Sequence, residues 1–155
     1  MFKMEAIGEV RNNVNSPTSP EKMVLQESTI IIKPEFAEGL DGIEKNEYLQ
    51  ILFYIDQKHE YKLKGERRGG EERGLFASRS PHRPNPIGLT KVRLMKREGQ
   101  KLIVKGLDAL NGTSVLDIKP YVPNFDRREN VKIGWLEKNV RKLSSAEDDG
   151  RFADN

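Results

Sequence analysis

The sequence contains no cysteine and only two histidines, His59 and His82. Disulfide bonds and cysteine-ligated metals are therefore excluded, and so is a histidine-rich metal site. No apolar run approaches the roughly 20 residues that a membrane-spanning helix requires, and the first residues lack the apolar core of a signal peptide. We therefore expect a cytoplasmic protein that needs neither a metal nor a membrane.

A glycine-rich cofactor loop is also missing. A dinucleotide-type site requires a strand, a glycine-rich turn and a helix in succession. Gly65, Gly69 and Gly70 lie instead in a charged stretch without that context. If a nucleotide-like cofactor binds, we expect it at a different kind of site.

Basic residues are concentrated in one segment. Residues 62–101 contain twelve Lys or Arg and four Glu, a net charge of +8, whereas the rest of the chain carries −5. Such a distribution is typical of a protein with a polyanionic partner. A solvated loop without a specific partner is the alternative, and the charge favours the polyanion only modestly.

Short alternating or β-branched apolar segments predict mainly β structure. The expected strands are residues 5–10, 28–33, 48–56, 75–78, 89–96, 101–107 and 114–119. We expect a long loop over 57–73 and an amphipathic helix over 133–143. The pattern indicates a small β-barrel with short peripheral helices and one C-terminal helix, formed by residues 1–143, and an acidic tail, residues 144–155, that frays.

Residues 79–90 form the most unusual segment, Arg-Ser-Pro-His-Arg-Pro-Asn-Pro-Ile-Gly-Leu-Thr. Its three prolines fix the backbone and restrict the residues before them. The polar side chains of this loop are thus presented with little entropy left to lose, as a preorganised binding site requires. A rigid connection at the barrel rim with solvated arginines is the equally weighted alternative.

A second polar cluster surrounds the turn at Asn111-Gly112. Asp108 and Asp117 flank this turn, so a hairpin would bring the two carboxylates together. A carboxylate there could hold a ribose hydroxyl or accept a proton. Taken singly, Asp117 and Lys119 are more simply explained as one exposed face of a strand.

These two clusters resemble the TsaA-like family, also called tRNA methyltransferase O. The resemblance rests on residues 79–90 and on Leu-Asp-Ile-Lys-Pro-Tyr at 116–121, with weaker similarity from Ile7 to about Asp126. It implies a homodimeric β-barrel that binds S-adenosylmethionine. It also implies methylation of N6 of threonylcarbamoyl-adenosine, the modified base on the 3′ side of the tRNA anticodon.

The resemblance also implies where the cofactor binds. The implied cofactor residues are Pro20, Asp56, Gln57, Arg79, Ser80, Arg83, Asn85, Leu89, Asp108, Leu110, Gly112 and Thr113. The group that removes the N6 proton is not identified; Asp117 and His82 are the candidates. For tRNA contacts we expect Arg67, Arg68 and Arg73, because they lie in the long basic loop before the rigid segment.

Two other functions stay open on sequence alone. The chain could be a non-catalytic barrel that binds S-adenosylmethionine or RNA, or a methyltransferase on another substrate. Stacking aromatics would favour an RNA-binding module, but residues 62–101 contain only one, Phe76.

Overall fold

The computed structural model describes residues 1–56, 60–66 and 72–133, apart from the side chain of Pro20. Its strands are β1 (Gly8–Arg11), β2 (Glu27–Ile32), β3 (Tyr48–Tyr54), β4 (Lys64–Glu66), β5 (Glu72–Gly74), β6 (Ile87–Glu98), β7 (Lys101–Lys105) and β8 (Ser114–Pro120). The helical segments are α1 (Pro20–Val24), α2 (Pro123–Asp126) and 3-10 turns at Pro34–Leu40, Ile43–Lys45 and Leu75–Ala77. Within these ranges no helix has the length and apolarity needed to cross a membrane.

Six of the described strands close into an antiparallel barrel in the order β1-β2-β7-β6-β3-β8, with β8 pairing back onto β1. The prediction of a small, mainly β barrel with short peripheral helices is confirmed. The helix predicted over 133–143 and the tail at 144–155 lie outside the described residues, apart from Ile133, which is in no regular element.

The barrel interior follows the alternation of the strands. Leu49, Ile51 and Phe53 of β3 point inward and are at most 4% exposed. On β6, Val92 and Leu94 are buried while Lys91 and Arg93 face outward, as the sequence predicts. Burying one such apolar side chain stabilises the fold by about 1.5–3 kcal/mol, so the register of each strand is firmly set.

The strand predicted at 75–78 is wrong. Leu75–Ala77 is a 3-10 turn, and the Ser78 N–H and hydroxyl both donate to the Leu75 carbonyl, at 3.1 and 2.7 Å. Leu75 is buried, whereas Phe76 is 75% exposed. One buried side chain in three does not define a β face, and local hydrogen bonds satisfy the backbone instead.

The long loop predicted over 57–73 is partly paired. Within it, β4 pairs with β5, in register from Lys64 opposite Gly74 to Glu66 opposite Glu72. The strands are three residues each and mostly exposed, so no apolar pattern marks them.

The hairpin predicted between Asp108 and Asp117 is wrong. The turn at Asn111-Gly112 is present, and Gly112 has the positive φ of 88° that favours glycine. However, β7 pairs with β2 and β6, while β8 pairs with β1 and β3. The strands on either side of the turn therefore belong to different parts of the barrel.

Candidate functional site

The proline-rich segment 79–86, which we call the rim loop, forms neither helix nor strand. Two buried serines, Ser78 and Ser80, organise its start. The Ser80 N–H donates to Ser78 Oγ at 3.4 Å, and the His82 N–H donates to Ser80 Oγ at 3.3 Å. Hydroxyl bonds to nearby N–H groups, together with the prolines, fix the loop without a sheet partner.

Arg83 braces the same loop. Its guanidinium donates to the backbone carbonyls of Ser78 at 3.0 Å and Ser80 at 2.9 Å. Its Cζ atom lies 5.9 Å from the centre of the Phe76 ring. The half-buried Arg83 guanidinium thus holds the start of the rim loop in place through two charge-assisted hydrogen bonds.

Gly88 follows the rim loop and lies opposite Phe53 in the β3–β6 ladder. A Cβ atom at this position would lie 2.3 Å from Cζ of the Phe53 ring. The missing side chain of Gly88 therefore makes room for the Phe53 ring, which lines the site.

A cavity of about 740 Å³ opens beside the rim loop. This volume lies within the range typical of small-molecule sites. Five of the predicted cofactor residues line it: Arg79, Ser80, Arg83, Leu89 and Asp108. Arg79 is exposed at the cavity wall, where a cation can meet an anionic group.

A smaller cavity of about 180 Å³ adjoins the first. Its lining includes Asp56, Asp108, Leu110, Gly112 and Thr113, all of them predicted cofactor residues. Asp108, Phe53 and Ile55 line both cavities. The turn that closes it is held by the Thr113 N–H and hydroxyl, which both donate to the Leu110 carbonyl.

Asp108 stands between the two cavities and is oriented by Thr90. The Thr90 hydroxyl donates a hydrogen bond to the Asp108 carboxylate. This contact connects Thr90, the last residue of the segment 79–90, to the polar cluster around Asn111-Gly112. A carboxylate fixed in this way can accept hydrogen bonds from ligand hydroxyl or ammonium groups.

Four predicted residues whose side chains the structure describes line neither cavity: Arg73, His82, Asn85 and Asp117. Asn85 is exposed, and Pro20 begins α1. His82 lies in the rim loop, and Asp117 lies on β8 with its carboxylate 2.9 Å from Lys119 Nζ. Arg73 is in β5, where it donates to the Glu72 carbonyl at 2.7 Å. Gln57, Arg67 and Arg68 lie outside the described residues.

The larger cavity is also lined by polar residues for which the sequence predicted no cofactor contact. Among them are Gln50, Lys91, Tyr121 and Asp126. Tyr121 ends the second motif and Lys91 follows the first, so their positions beside the motifs were the available indication. No feature of the sequence indicated that Gln50 or Asp126 would line this cavity, because the fold brings them there from segments distant in sequence.

Among the described residues, no cluster of three or more metal-ligating side chains occurs. The site is instead a polar cavity between a rigid rim loop and the end of a barrel strand. These features define a small β-barrel protein with a polar cavity at its rim, the candidate binding site.

The chain belongs to the tRNA-methyltransferase O family, whose N-terminal domain model matches residues 8–127. The family prediction is thereby confirmed. A probable S-adenosyl-L-methionine-binding protein of Pyrococcus abyssi is 51% identical over 130 residues, covering 81% of this chain and 69% of that protein. A human tRNA (adenine(37)-N6)-methyltransferase is 42% identical over 97 residues, covering 60% of this chain and 22% of that protein.

A crystal structure of TrmO from Pseudomonas aeruginosa superposes with a TM-score of 0.72 at 32% identity. The match covers 88% of this chain and 62% of the other. This chain therefore spans less than two thirds of that protein and about a fifth of the human enzyme. The barrel strands and the rim loop lie within residues 8–127, which the family model matches.

Proposed function

We propose that the chain transfers a methyl group from S-adenosylmethionine to N6 of an adenosine in tRNA. Within that activity, we propose threonylcarbamoyl-adenosine beside the anticodon as the substrate. The observation that carries the proposal is the rim loop, braced before any ligand binds, at the wall of a cavity of suitable size. Membership of the methyltransferase family and the relatives' printed names support it.

The lining residues suit the groups of the cofactor. Arg79 can pair with its carboxylate, and Asp108 can accept from its ribose hydroxyls or ammonium group. Asp56, Leu110, Gly112 and Thr113 surround the adjoining smaller cavity, where a further part of the molecule can lie. Arg83 acts chiefly by holding the loop, since its guanidinium donates to two loop carbonyls.

The cofactor supplies a methyl group on a positively charged sulfur. As the N6–carbon bond forms, the sulfur–methyl bond breaks and its electron pair stays on sulfur, which becomes neutral. The proton on N6 must leave to an acceptor. Asp126, an exposed carboxylate lining the larger cavity, is better placed for this than Asp117 or His82, which line neither cavity.

We also propose that the protein works as a cytoplasmic homodimer. Two apolar side chains at the larger cavity, Val24 and Leu89, are 65% and 50% exposed. A second copy covering them would remove that surface from water. Sedimentation equilibrium should give twice the chain mass, and a monomer at all concentrations would contradict this part.

The decisive experiment is methyl transfer in vitro. Purified protein is incubated with S-adenosylmethionine and tRNA, and the digested nucleosides are analysed by mass spectrometry. We expect one methyl group added to threonylcarbamoyl-adenosine. Methylation of unmodified adenosine would change the substrate but keep the reaction.

The alternative is a barrel that binds S-adenosylmethionine or RNA without catalysis, which suits relatives named only for cofactor binding. Cofactor binding by calorimetry without any methylated nucleoside would establish it. Asp126→Asn serves as an internal check, because it should lower kcat while cofactor affinity stays near wild type.

A further inference from the structure

Two tyrosines and a lysine form a cluster on the outside of the barrel. The Tyr48 and Tyr121 rings meet edge to face, with centres 6.4 Å apart and planes at 75°. Lys91 Nζ lies 4.7 Å from the centre of the Tyr121 ring and 5.7 Å from that of Tyr48. The ammonium is therefore held over both aromatic faces.

Strand register adds further positive charge beside this cluster. In the β3–β6 ladder, Tyr48 lies opposite Arg93 and Gln50 lies opposite Lys91. Arg93 is in turn opposite Lys105 on β7. Within the described part of the chain, neither Lys91 nor Arg93 forms an ion pair, so both charges are available to an anion.

The cluster is continuous with the larger cavity. Gln50, Lys91 and Tyr121 line that cavity, whereas Tyr48 stands just beyond it. A ligand that enters the cavity and continues outward therefore crosses the tyrosine pair. The partly exposed tyrosine rings and the two cations without ion pairs suit alternating bases and phosphates better than a protein surface.

We infer that this face, centred on Tyr48, Lys91, Arg93 and Tyr121, binds the unpaired nucleotides next to the target adenosine. Bases stack on the tyrosines, and the phosphates between them approach Lys91 and Arg93. This inference rests on the proposed function for the identity of the RNA. It assigns the single-stranded contact to the barrel wall rather than to the arginines of the loop before the rim.

The test is binding of a synthetic RNA stem-loop, measured by fluorescence anisotropy without cofactor at several salt concentrations. Tyr48→Ala should weaken binding by about 5- to 150-fold, the range for loss of one stacked base. Tyr48→Phe should bind like wild type, because the ring remains. Tyr61→Ala, which removes an exposed tyrosine outside this face, should have no effect.

Charge is tested separately with Lys91→Ala. The slope of log affinity against log salt should fall by about 0.7, the value for one phosphate contact on a single strand. Lys101→Ala, an exposed lysine at the far end of the β6–β7 hairpin, should leave the slope unchanged. Circular dichroism and urea unfolding on each variant exclude misfolding as the cause.

Wild-type affinity for the stem-loop in both Tyr48→Ala and Lys91→Ala would overturn the inference. So would an equal loss of affinity for fully double-stranded RNA, because stacking requires unpaired bases. Neither result bears on methyl transfer by the wild-type protein, which tests the proposed function independently. Conversely, the predicted binding losses would stand even if the wild type transferred no methyl group.

Discussion

Replacing Gly88 by alanine should disturb the fold and the site together. The new Cβ would lie 2.3, 2.4 and 2.8 Å from three carbon atoms of the Phe53 ring. That ring is 4% exposed and belongs to a central barrel strand, so it cannot swing into solvent. Because the ring lines both cavities, its displacement should also weaken cofactor binding.

The expected cost is that of overpacking a core, about 1–3 kcal/mol. For a domain of this size, each kcal/mol lowers Tm by about 2–4 °C, so Tm should fall by about 2–12 °C. Urea unfolding measures the change as a shift in midpoint at constant slope. Gly39→Ala is the matched control, since nothing lies within 4 Å of its added Cβ, and it should stay within about 0.5 kcal/mol of wild type.

A double variant separates the clash from any general intolerance of alanine. Phe53→Leu removes the ring atoms that the new methyl group would meet. Gly88→Ala combined with Phe53→Leu should therefore be more stable than the two single changes predict by addition. Strict additivity, or a wild-type urea midpoint for Gly88→Ala alone, would refute the reasoning.

Four further predictions concern the cofactor site and two ionic contacts of the barrel. Arg79→Ala should weaken cofactor binding at least tenfold in calorimetry, because it removes one charge-assisted hydrogen bond, which contributes about 1.5–3 kcal/mol. Arg68→Ala should not weaken cofactor binding, and equal losses in the two variants would contradict the assignment. EDTA should leave the cofactor isotherm unchanged, whereas a loss of binding would reveal a metal. Arg97→Ala should lower unfolding free energy by about 1 kcal/mol, because its guanidinium donates to two backbone carbonyls; an unchanged Tm would count against this. A backbone hydrogen bond and Arg97 lower the pKa of the Glu44 carboxyl. The stability that Glu44 contributes is therefore complete above the ordinary carboxyl pKa and is lost as pH falls through the lowered pKa. In acid unfolding, Glu44→Gln should lack this pH-dependent loss of stability.

The barrel could be predicted because its strands alternate strongly. Lys91 to Leu94 shows the period of two plainly, and the structure buries Val92 and Leu94 as expected. The strand predicted at 75–78 failed because one buried leucine beside small residues carries no period. Periodicity identifies faces, but in so short a segment local hydrogen bonds decide the conformation.

The sequence predicted some residues of the site and missed others, because strand pairing decides which distant residues meet. Arg79, Ser80 and Leu89 are neighbours in sequence, so a motif identifies them together. Asp108 and Asp117 are also close in sequence, yet β7, which ends before Asp108, and β8, which contains Asp117, do not pair with each other. Sequence proximity across a turn predicts contact only when the flanking strands pair with each other.

The basic segment 62–101 also shows that position in the sequence does not reveal which residues meet in the fold. Only one aromatic residue lies within 62–101, which argued against a stacking surface for RNA. The fold nevertheless brings Tyr48 and Tyr121 from outside this segment to Lys91 inside it. A surface assembled from β3, β6 and the residue that follows β8 cannot be recognised by counting residues within one stretch of sequence.

The two arginines of the rim loop, Arg79 and Arg83, should have different roles. Arg83 donates to two loop carbonyls and lies near the Phe76 ring, whereas Arg79 is exposed at the cavity wall. Removing Arg83 should therefore loosen the loop itself. Removing Arg79 should leave the loop intact and take away only a ligand contact.

This difference predicts two separable outcomes. Arg83→Ala should lower the free energy of unfolding by about 1.5–3 kcal/mol, the value for a hydrogen bond from a charged donor, and the urea midpoint with it. Cofactor binding should weaken as a consequence. Arg79→Ala should weaken cofactor binding with a wild-type urea midpoint. Lysine should not rescue Arg83, because one ammonium cannot reproduce the planar two-point contact, but Arg79→Lys should retain part of the affinity through its charge. If Arg83→Ala unfolds at the wild-type urea concentration while losing cofactor, then Arg83 binds the ligand directly and the brace is not its role.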